Sequence, residues 1–289
     1  MQNTANPRIA IKHRPKIIWS GGTAYTKIFD WKKYAEIADK VGAYFVADIS
    51  HIAGLIVGDV HPSPVPFAHI IMTTTHKTLR GPRGAMIMVT EKGLRKDPEL
   101  PKKIDFSVFP GHQGGPHENK IAGIAVALGE ASRPEFKKYA RQIFVNAKVL
   151  AEELKKYDFD LVGNGTENHL VWIDLRNKKI EGWHAHVVLE AVNIFGNKQT
   201  IPFDPRPPFY PSGYRIGTPA VTTRGMKEKE MEIIAKFINE GIEISRRLDV
   251  SGIGGPDKAT DQAARKKFKN NLKKNRQLTS LRQKVIDFA

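Results

Sequence analysis

Asp30-Trp31-Lys32-Lys33-Tyr34-Ala35-Glu36-Ile37-Ala38-Asp39-Lys40-Val41-Gly42-Ala43-Tyr44-Phe45-Val46-Ala47-Asp48 reads as a helix followed by a strand. Trp31, Tyr34, Ile37 and Ala38 recur at three-and-four spacing, and Asp30 stands where an aspartate caps the first turn. Gly42 supplies the left-handed residue that ends helices, and Tyr44 to Asp48 is then an apolar run of the kind buried on both faces of a sheet. Upstream, Pro15 to Trp19 is a second β-rich run, so the order is strand, helix, strand, and the fold class is α/β. Downstream, His69 to Thr73 and Ala85 to Val89 are two more β runs, separated by the loop Lys77 to Gly84. Open α/β sheets place ligands at the carboxyl ends of strands, which directs attention to the polar residues after these runs.

The pattern changes after Ala131. Pro134 opens a long amphipathic helix to Tyr157, with Phe136, Tyr139, Ala140, Ile143, Ala147, Leu150, Ala151 and Leu154 on its apolar side. A strand at Leu170 to Leu175, a helix from about His184 to Ala191, a Pro-rich loop from Pro202 to Pro211 and a helix from Lys227 to Arg247 complete a smaller α+β domain. Two domains are therefore expected, residues 1–132 and 133–289, with the boundary inside helical sequence near Ser132 to Pro134. The cluster from Gly252 to Gly255 reads as a loop.

Composition narrows the function classes. The 289 residues are 40% hydrophobic and 26% charged, enough for a full-sized core, and no apolar run approaches the roughly 18 residues of a membrane span. The first thirty residues carry Lys12, His13, Arg14 and Lys16 without an apolar signal core, so a cytoplasmic location is expected. Zero cysteine agrees and excludes disulfides, thiolate metal sites and a cysteine nucleophile. His117-Glu118 lacks the second histidine of a zincin helix, and neither a phosphate loop nor a G-x-S-x-G elbow is present, so no metal site is expected. The net charge of +16 brings polyanions into view. From Asp257 to Ala289, ten basic residues stand against three acidic ones, giving +7. Phe268, Leu272, Leu281, Val285 and Phe288 recur there at near-helical spacing, which predicts a docked helix with a solvated basic face.

The chemistry-bearing residues lie between Asp48 and Gly84. Asp48 ends a buried strand, His51 follows it, and Lys77 comes after Thr73-Thr74-Thr75-His76. A lysine just past a strand end, among hydroxyls and an imidazole, suits a Schiff-base amine, and an acid at a neighbouring strand end suits the ring nitrogen of a pyridine cofactor. The alternative is a surface lysine in a Gly-Pro loop beside an aspartate that caps a turn. Spacing leaves both readings open.

Four blocks resemble the serine hydroxymethyltransferase family: Ala47-Asp48-Ile49-Ser50-His51-Ile52-Ala53-Gly54-Leu55, Thr73 through Lys77 to Gly84, Phe109-Pro110-Gly111-His112-Gln113-Gly114-Gly115-Pro116, and Tyr214-Arg215-Ile216-Gly217-Thr218-Pro219-Ala220. The resemblance covers nearly the whole chain and weakens in the first fifteen residues and the basic C-terminal segment. It implies the fold of a pyridoxal 5'-phosphate (PLP)-dependent, aminotransferase-like enzyme, here the C-terminal part of its large domain plus the smaller α+β domain. It further implies that Lys77 holds the cofactor as a Schiff base, that Asp48 pairs with the pyridinium nitrogen, and that His51 and Thr23 serve the phenolic oxygen. Arg215 would take the substrate carboxylate, Thr74 and His76 would line the pocket, and Arg83 would stiffen the lysine loop. Gly114 and Gly115 would offer N–H groups to the cofactor phosphate of a partner subunit in a homodimer or higher assembly. The implied reaction interconverts serine and glycine with one-carbon transfer to tetrahydrofolate.

Two departures shape the expectation. Family members carry an N-terminal segment with much of the phosphate cup, the stacking ring, the acid/base glutamate and part of the folate pocket, and none of its motifs appears here. Bacterial relatives usually place Asn where Gln199 stands in Asn197-Lys198-Gln199-Thr200-Ile201-Pro202, so a modified pterin carrier enters beside tetrahydrofolate. The competing reading is a catalytically silent homologue that binds RNA or another polyanion through its basic tail. RNA is the weaker partner, because the tail offers only Phe268 and Phe288 as aromatic platforms.

Overall fold

The computed structural model describes residues 6–248, 251, 253 and 258–289. The loop expected at Gly252 to Gly255 falls on Gly252, Gly254 and Gly255, which lie outside the described residues. The first elements are α1 (Pro7–His13), β1 (Ile17–Ser20), α2 (Trp31–Val41), β2 (Tyr44–Asp48), α3 (Ala53–Val57), β3 (Ile70–Thr74) and β4 (Ala85–Val89). Then come α4 (Glu91–Lys96), α5 (Leu100–Val108), α6 (Glu118–Ala131), α7 (Pro134–Lys156), β5 (Asp160–Leu161), β6 (Leu170–Asp174) and α8 (Gly182–Ala191). The last are β7 (Asn197–Gln199), β8 (Gly213–Gly217), α9 (Pro219–Thr223), α10 (Glu228–Ser245), α11 (Lys258–Lys274) and α12 (Arg276–Phe288). The chain divides into two compact units, Met1–Phe144 and Val145–Ala289.

The first unit is built on a sheet of order β1-β2-β3-β4, in which β1, β2 and β3 are parallel and β4 runs antiparallel to β3. The helix and strand read from residues 30–48 form as their caps dictate. The Asp30 carboxylate accepts the Lys33 N–H (3.0 Å), and Gly42 ends α2 at φ 73° with its N–H on the Ala38 and Asp39 carbonyls. Phe45, Val46 and Ala47 are buried, and Phe45 and Ala47 pack in one cluster with Trp31, Ala38, Leu55 and Ile71. β4 is an edge strand with Ala85, Ile87 and Met88 exposed, so its apolar run does not mark a buried strand. It pairs antiparallel because the loop before it holds no helix, and a parallel return needs a crossover of about a dozen residues or more.

The second unit carries an antiparallel sheet of order β5-β6-β8-β7. Val171, Ile173, Tyr214 and Ile216 from this sheet pack with Leu189 of α8 and with Met231, Ile238 and Ile242 of α10. α7 belongs to both units. Its first turns put Phe136, Ala140 and Ile143 into the first core, and its last turns put Leu150, Ala151 and Leu154 into the second. The division between the units therefore falls inside this helix, between Phe144 and Val145, further along than the Ser132 to Pro134 position read from composition.

The C-terminal segment forms two helices where one docked helix was expected. Asn275 interrupts them: its side chain accepts the Leu278 N–H (3.1 Å) and starts α12 anew. Phe268 and Leu272 of α11, with Leu278, Leu281 and Val285 of α12, are buried in a third cluster with Trp183 and Val188 of α8. The Phe268 ring lies 5.6 Å from both Trp183 and His184, centroid to centroid. Burial, helped by the nearby Arg265 charge, lowers the His184 pKa to about 4, so this imidazole is a neutral packing element at pH 7. Phe268→Ala should cost about 3–5 kcal/mol of unfolding free energy and speed amide exchange along α11. An unchanged melting temperature would show that this ring does not anchor the helix.

Candidate active site

The carboxyl ends of the parallel strands surround a cavity of about 220 Å³, lined by Trp19, Gly21, Gly22, Thr23, Asp48, Ser50, His51 and Lys77. Asp48 ends β2 in register with Met72 of β3. Its Oδ1 accepts the Ser50 N–H (3.0 Å), which turns the chain immediately after the strand and fixes the carboxylate. The turn is tied to β3 twice: the Ile49 N–H donates to the Met72 carbonyl (2.9 Å), and the Ser50 hydroxyl accepts the Thr74 N–H (3.0 Å). From the other side β1 is followed by Gly21 and Gly22. A Cβ at Gly21 would stand 2.7 Å from the Asp48 Cβ, so only glycine lets this turn approach the aspartate.

Lys77 is half-buried on a loop that the backbone holds closed. The Thr75 N–H donates to the Gly84 carbonyl (3.0 Å) and its hydroxyl to the Pro82 carbonyl (2.6 Å), while the Gly81 N–H returns to the Thr75 carbonyl (2.8 Å). Arg80 takes φ 63° and lays its guanidinium 4.6 Å from the Tyr139 ring centroid on α7. Thr78 is buried and bridges to the other loop. Its hydroxyl accepts the Gly54 N–H (2.9 Å) and donates to the His51 carbonyl (3.0 Å). At that crossing a Cβ on Gly54 would run into the Thr78 carbonyl. Lysine and aspartate are thus placed by backbone contacts.

Of the residues singled out in the sequence, Thr23, Asp48, His51 and Lys77 come together in this cavity. Thr74 and His76 flank Lys77 but are not part of the lining, and Thr74 Oγ1 and His76 Nδ1 are buried without a hydrogen-bond partner. Arg83 is exposed on the lysine loop. Gly114 and Gly115 are exposed between α5 and α6, and a Cβ at either would meet nothing within 4 Å, so the folded chain itself makes no steric demand there. Trp19, Gly21, Gly22 and Ser50 were missed by sequence reasoning. The paired glycines just past the first β run were the available signal, since that is where an open α/β sheet places its ligand.

Arg215 lies in the second unit, half-buried on β8 opposite Asn197 of β7. Its Nε donates to Asn197 Oδ1 (2.9 Å), which fixes the plane of the guanidinium, and burial lowers its pKa from the ordinary arginine value. Asn197 also went unnoticed as a functional residue. Gln199 stands two residues on along the same edge strand, opposite Gly213. The Pro-rich loop that leads into β8 is clasped by one carboxylate. Asp204 accepts the Ser212 N–H (2.8 Å), the Ser212 hydroxyl (2.7 Å), the Arg206 N–H (3.0 Å) and the Ile201 N–H (3.2 Å). Burial pushes the Asp204 pKa up, but these four donors outweigh it and hold the carboxyl below its ordinary value.

A lysine and an aspartate at the ends of neighbouring strands of a mixed α/β sheet thus share one cavity with an imidazole and a hydroxyl. The residues fit PLP: an amine for its aldehyde and a carboxylate for its ring nitrogen, in one cavity of about 220 Å³. The family model for serine hydroxymethyltransferase matches residues 3–238. A serine hydroxymethyltransferase of Nostoc punctiforme is 52% identical over 232 residues, which cover 80% of this chain and 53% of that protein. The chain belongs to the serine hydroxymethyltransferase family, and it spans about half the length of the relative it matches. No helix among the described residues is long and apolar enough to cross a membrane.

The Asp204 clasp makes a pH prediction. A carboxyl held below its unfolded pKa stabilises the fold above that pKa and loses the contribution as pH falls through the folded value. The difference in melting temperature between the parent and Asp204→Asn should be largest at neutral pH and shrink in acid. A difference that does not vary with pH would remove the charge from the explanation.

Proposed function

We propose that this chain acts in serine hydroxymethyl transfer, interconverting serine and glycine with a one-carbon unit passed to tetrahydrofolate or a modified pterin. The observation that carries the reading is the convergence of Lys77, Asp48, His51 and Thr23 on one cavity. When bound, PLP supplies a protonated pyridine ring that takes up electron density from the substrate. Lys77 would hold the cofactor's aldehyde carbon, on a loop already braced by Thr75 and Thr78. Asp48 would keep the ring nitrogen protonated, with its orientation set by the Ser50 N–H. His51 and Thr23 would address the phenolic oxygen.

Arg215 would bind the amino-acid carboxylate through two parallel N–H donors, a geometry that lysine cannot reproduce. Its bond to Asn197 sets the guanidinium plane beforehand, so little orientation is lost on binding. Gln199, on the same strand as Asn197, is the proposed contact to the pterin. In a homodimer or larger assembly the N–H groups of Gly114 and Gly115 would serve a cofactor phosphate on the partner subunit, as the family resemblance implies, with the cytoplasm as its setting.

Borohydride reduction of the PLP-loaded protein, followed by peptide mapping, should place the pyridoxyl label on Lys77. A label on any other lysine refutes the assignment. In the active assembly Arg215→Lys should weaken serine binding by roughly 1.5–3 kcal/mol, the range for hydrogen bonds between charged groups. Unchanged serine affinity would take Arg215 out of the site.

A further inference from the structure

α11 lies past residue 238, where the family match ends, and nothing in the proposed transferase chemistry uses it. Its apolar side is already covered, since Phe268 and Leu272 are buried against α8. Its outer side carries Lys266, Lys269 and Lys273, all exposed. They fall at i, i+3 and i+7, a stripe roughly 10 Å long at about 1.5 Å per residue. Two cavities flank this stripe and share Lys269 and Lys273. One, about 510 Å³, adds Arg282 of α12, Asn193 and Thr279, with Glu190 as its single acid. The other, about 420 Å³, adds Lys266, Arg265, Gln262 and Asn270 and has no acid in its lining. Arg265 is occupied in holding the helix in place. It pairs with Asp261 (2.9 Å) and lies over the Trp183 and Tyr210 rings at 5.1 and 4.7 Å. Among the described residues no carboxylate pairs with Lys266, Lys269, Lys273 or Arg282.

We infer that α11 and α12 form a groove for the sugar–phosphate backbone of a nucleic acid. A charged helix on a solvated surface ordinarily offsets its cations with acids at i+3 or i+4, as Arg265 and Asp261 do on the inner side; the outer stripe does not. Amide groups of Asn193, Gln262 and Asn270 stand between the cations and can donate to phosphate oxygens. The continuity of the stripe across two cavities fits a strand of phosphates better than one compact anion. No exposed aromatic ring lies in either cavity, because Trp183 is buried, so bases find no stacking platform and recognition is by backbone alone. A membrane surface is disfavoured, since a helix that binds bilayers inserts an apolar face, and this one is committed to the core.

The test is fluorescence anisotropy of the full chain with labelled RNA and DNA duplexes of about 20 base pairs, from about 50 to about 200 mM salt. Binding should weaken linearly in log–log form with salt; equal binding of RNA and DNA assigns the shared backbone, and binding of RNA alone assigns RNA as its source. Lys266→Glu/Lys269→Glu/Lys273→Glu should lose about tenfold or more in affinity and flatten the salt slope by about 2–3. Lys12→Glu/Lys16→Glu/Lys40→Glu, the same change of charge on exposed residues of the first unit, should stay within about threefold of the parent. The matching Lys→Gln triples repeat the comparison without reversing charge, and melting curves confirm that each variant is folded. The proposal is overturned by equal losses in the two triples, by no salt-dependent binding to either duplex, by binding confined to phosphatidylserine vesicles, or by inorganic tripolyphosphate displacing the duplex at equal phosphate concentration.

Discussion

The lysine loop and the segment after β2 cross so closely that the Thr78 hydroxyl stands between the Gly54 N–H and the His51 carbonyl and bonds to both. The crossing is buried, so its polar groups have no water to turn to, and breaking one such bond leaves a group whose burial costs about 1–3 kcal/mol. The geometry of the first unit's site follows from it. With Thr78 fixed, Lys77 lines the same cavity as Asp48, which is held by its own turn and by the close approach of Gly21. An amine on a flexible stem gains most from such bracing, because the entropy of ordering the loop is lost on folding and not again on binding.

The same logic recurs in the second unit with different chemistry. A neutral amide, Asn197, aligns Arg215 without neutralising it, which an acidic partner in that place would do. A carboxylate is used instead where charge is wanted for structure. Asp204 gathers four donors from a loop rich in proline, a residue that has no N–H of its own to offer, and so fixes the entry into β8. The family match runs from residue 3 to residue 238, through most of the first unit and part of the second, and the candidate site residues fall inside it. α11 and α12 lie outside it, and there Lys266, Lys269, Lys273 and Arg282 have no paired carboxylate among the described residues, whereas Arg265 and Lys284 pair with Asp261 and Glu240.

The long stretch from Asp30 to Asp48 was legible because every level agreed: a cap, an apolar face, a left-handed glycine and a strand buried on both sides. Lys77, Asp48 and His51 drew attention as polar residues near strand ends, but spacing left their roles open, and it was the family resemblance that suggested them; the fold brings all three to one cavity. Other features depended on partners distant in sequence. β4 carries the same kind of apolar run as β2 yet lies at an exposed edge, and only strand order decides that. The break at Asn275 was hidden because near-helical spacing of Leu272, Leu281 and Val285 survives a change of helix, while the capping bond that makes the break is local and specific.

Thus the sequence by itself determined the α/β character of the first unit and the α+β character of the second. Those are consequences of periodicity, caps and residue chemistry, all written within a few positions of one another. Tertiary structure alone decided that Gly21 must be glycine because Asp48 stands against it, that Thr78 bridges to Gly54, that Asn197 aligns Arg215, and that Lys266, Lys269 and Lys273 flank two cavities together with Arg282. Each of these joins residues from separate elements. The distance between such elements is set by how their cores pack, which no local pattern encodes.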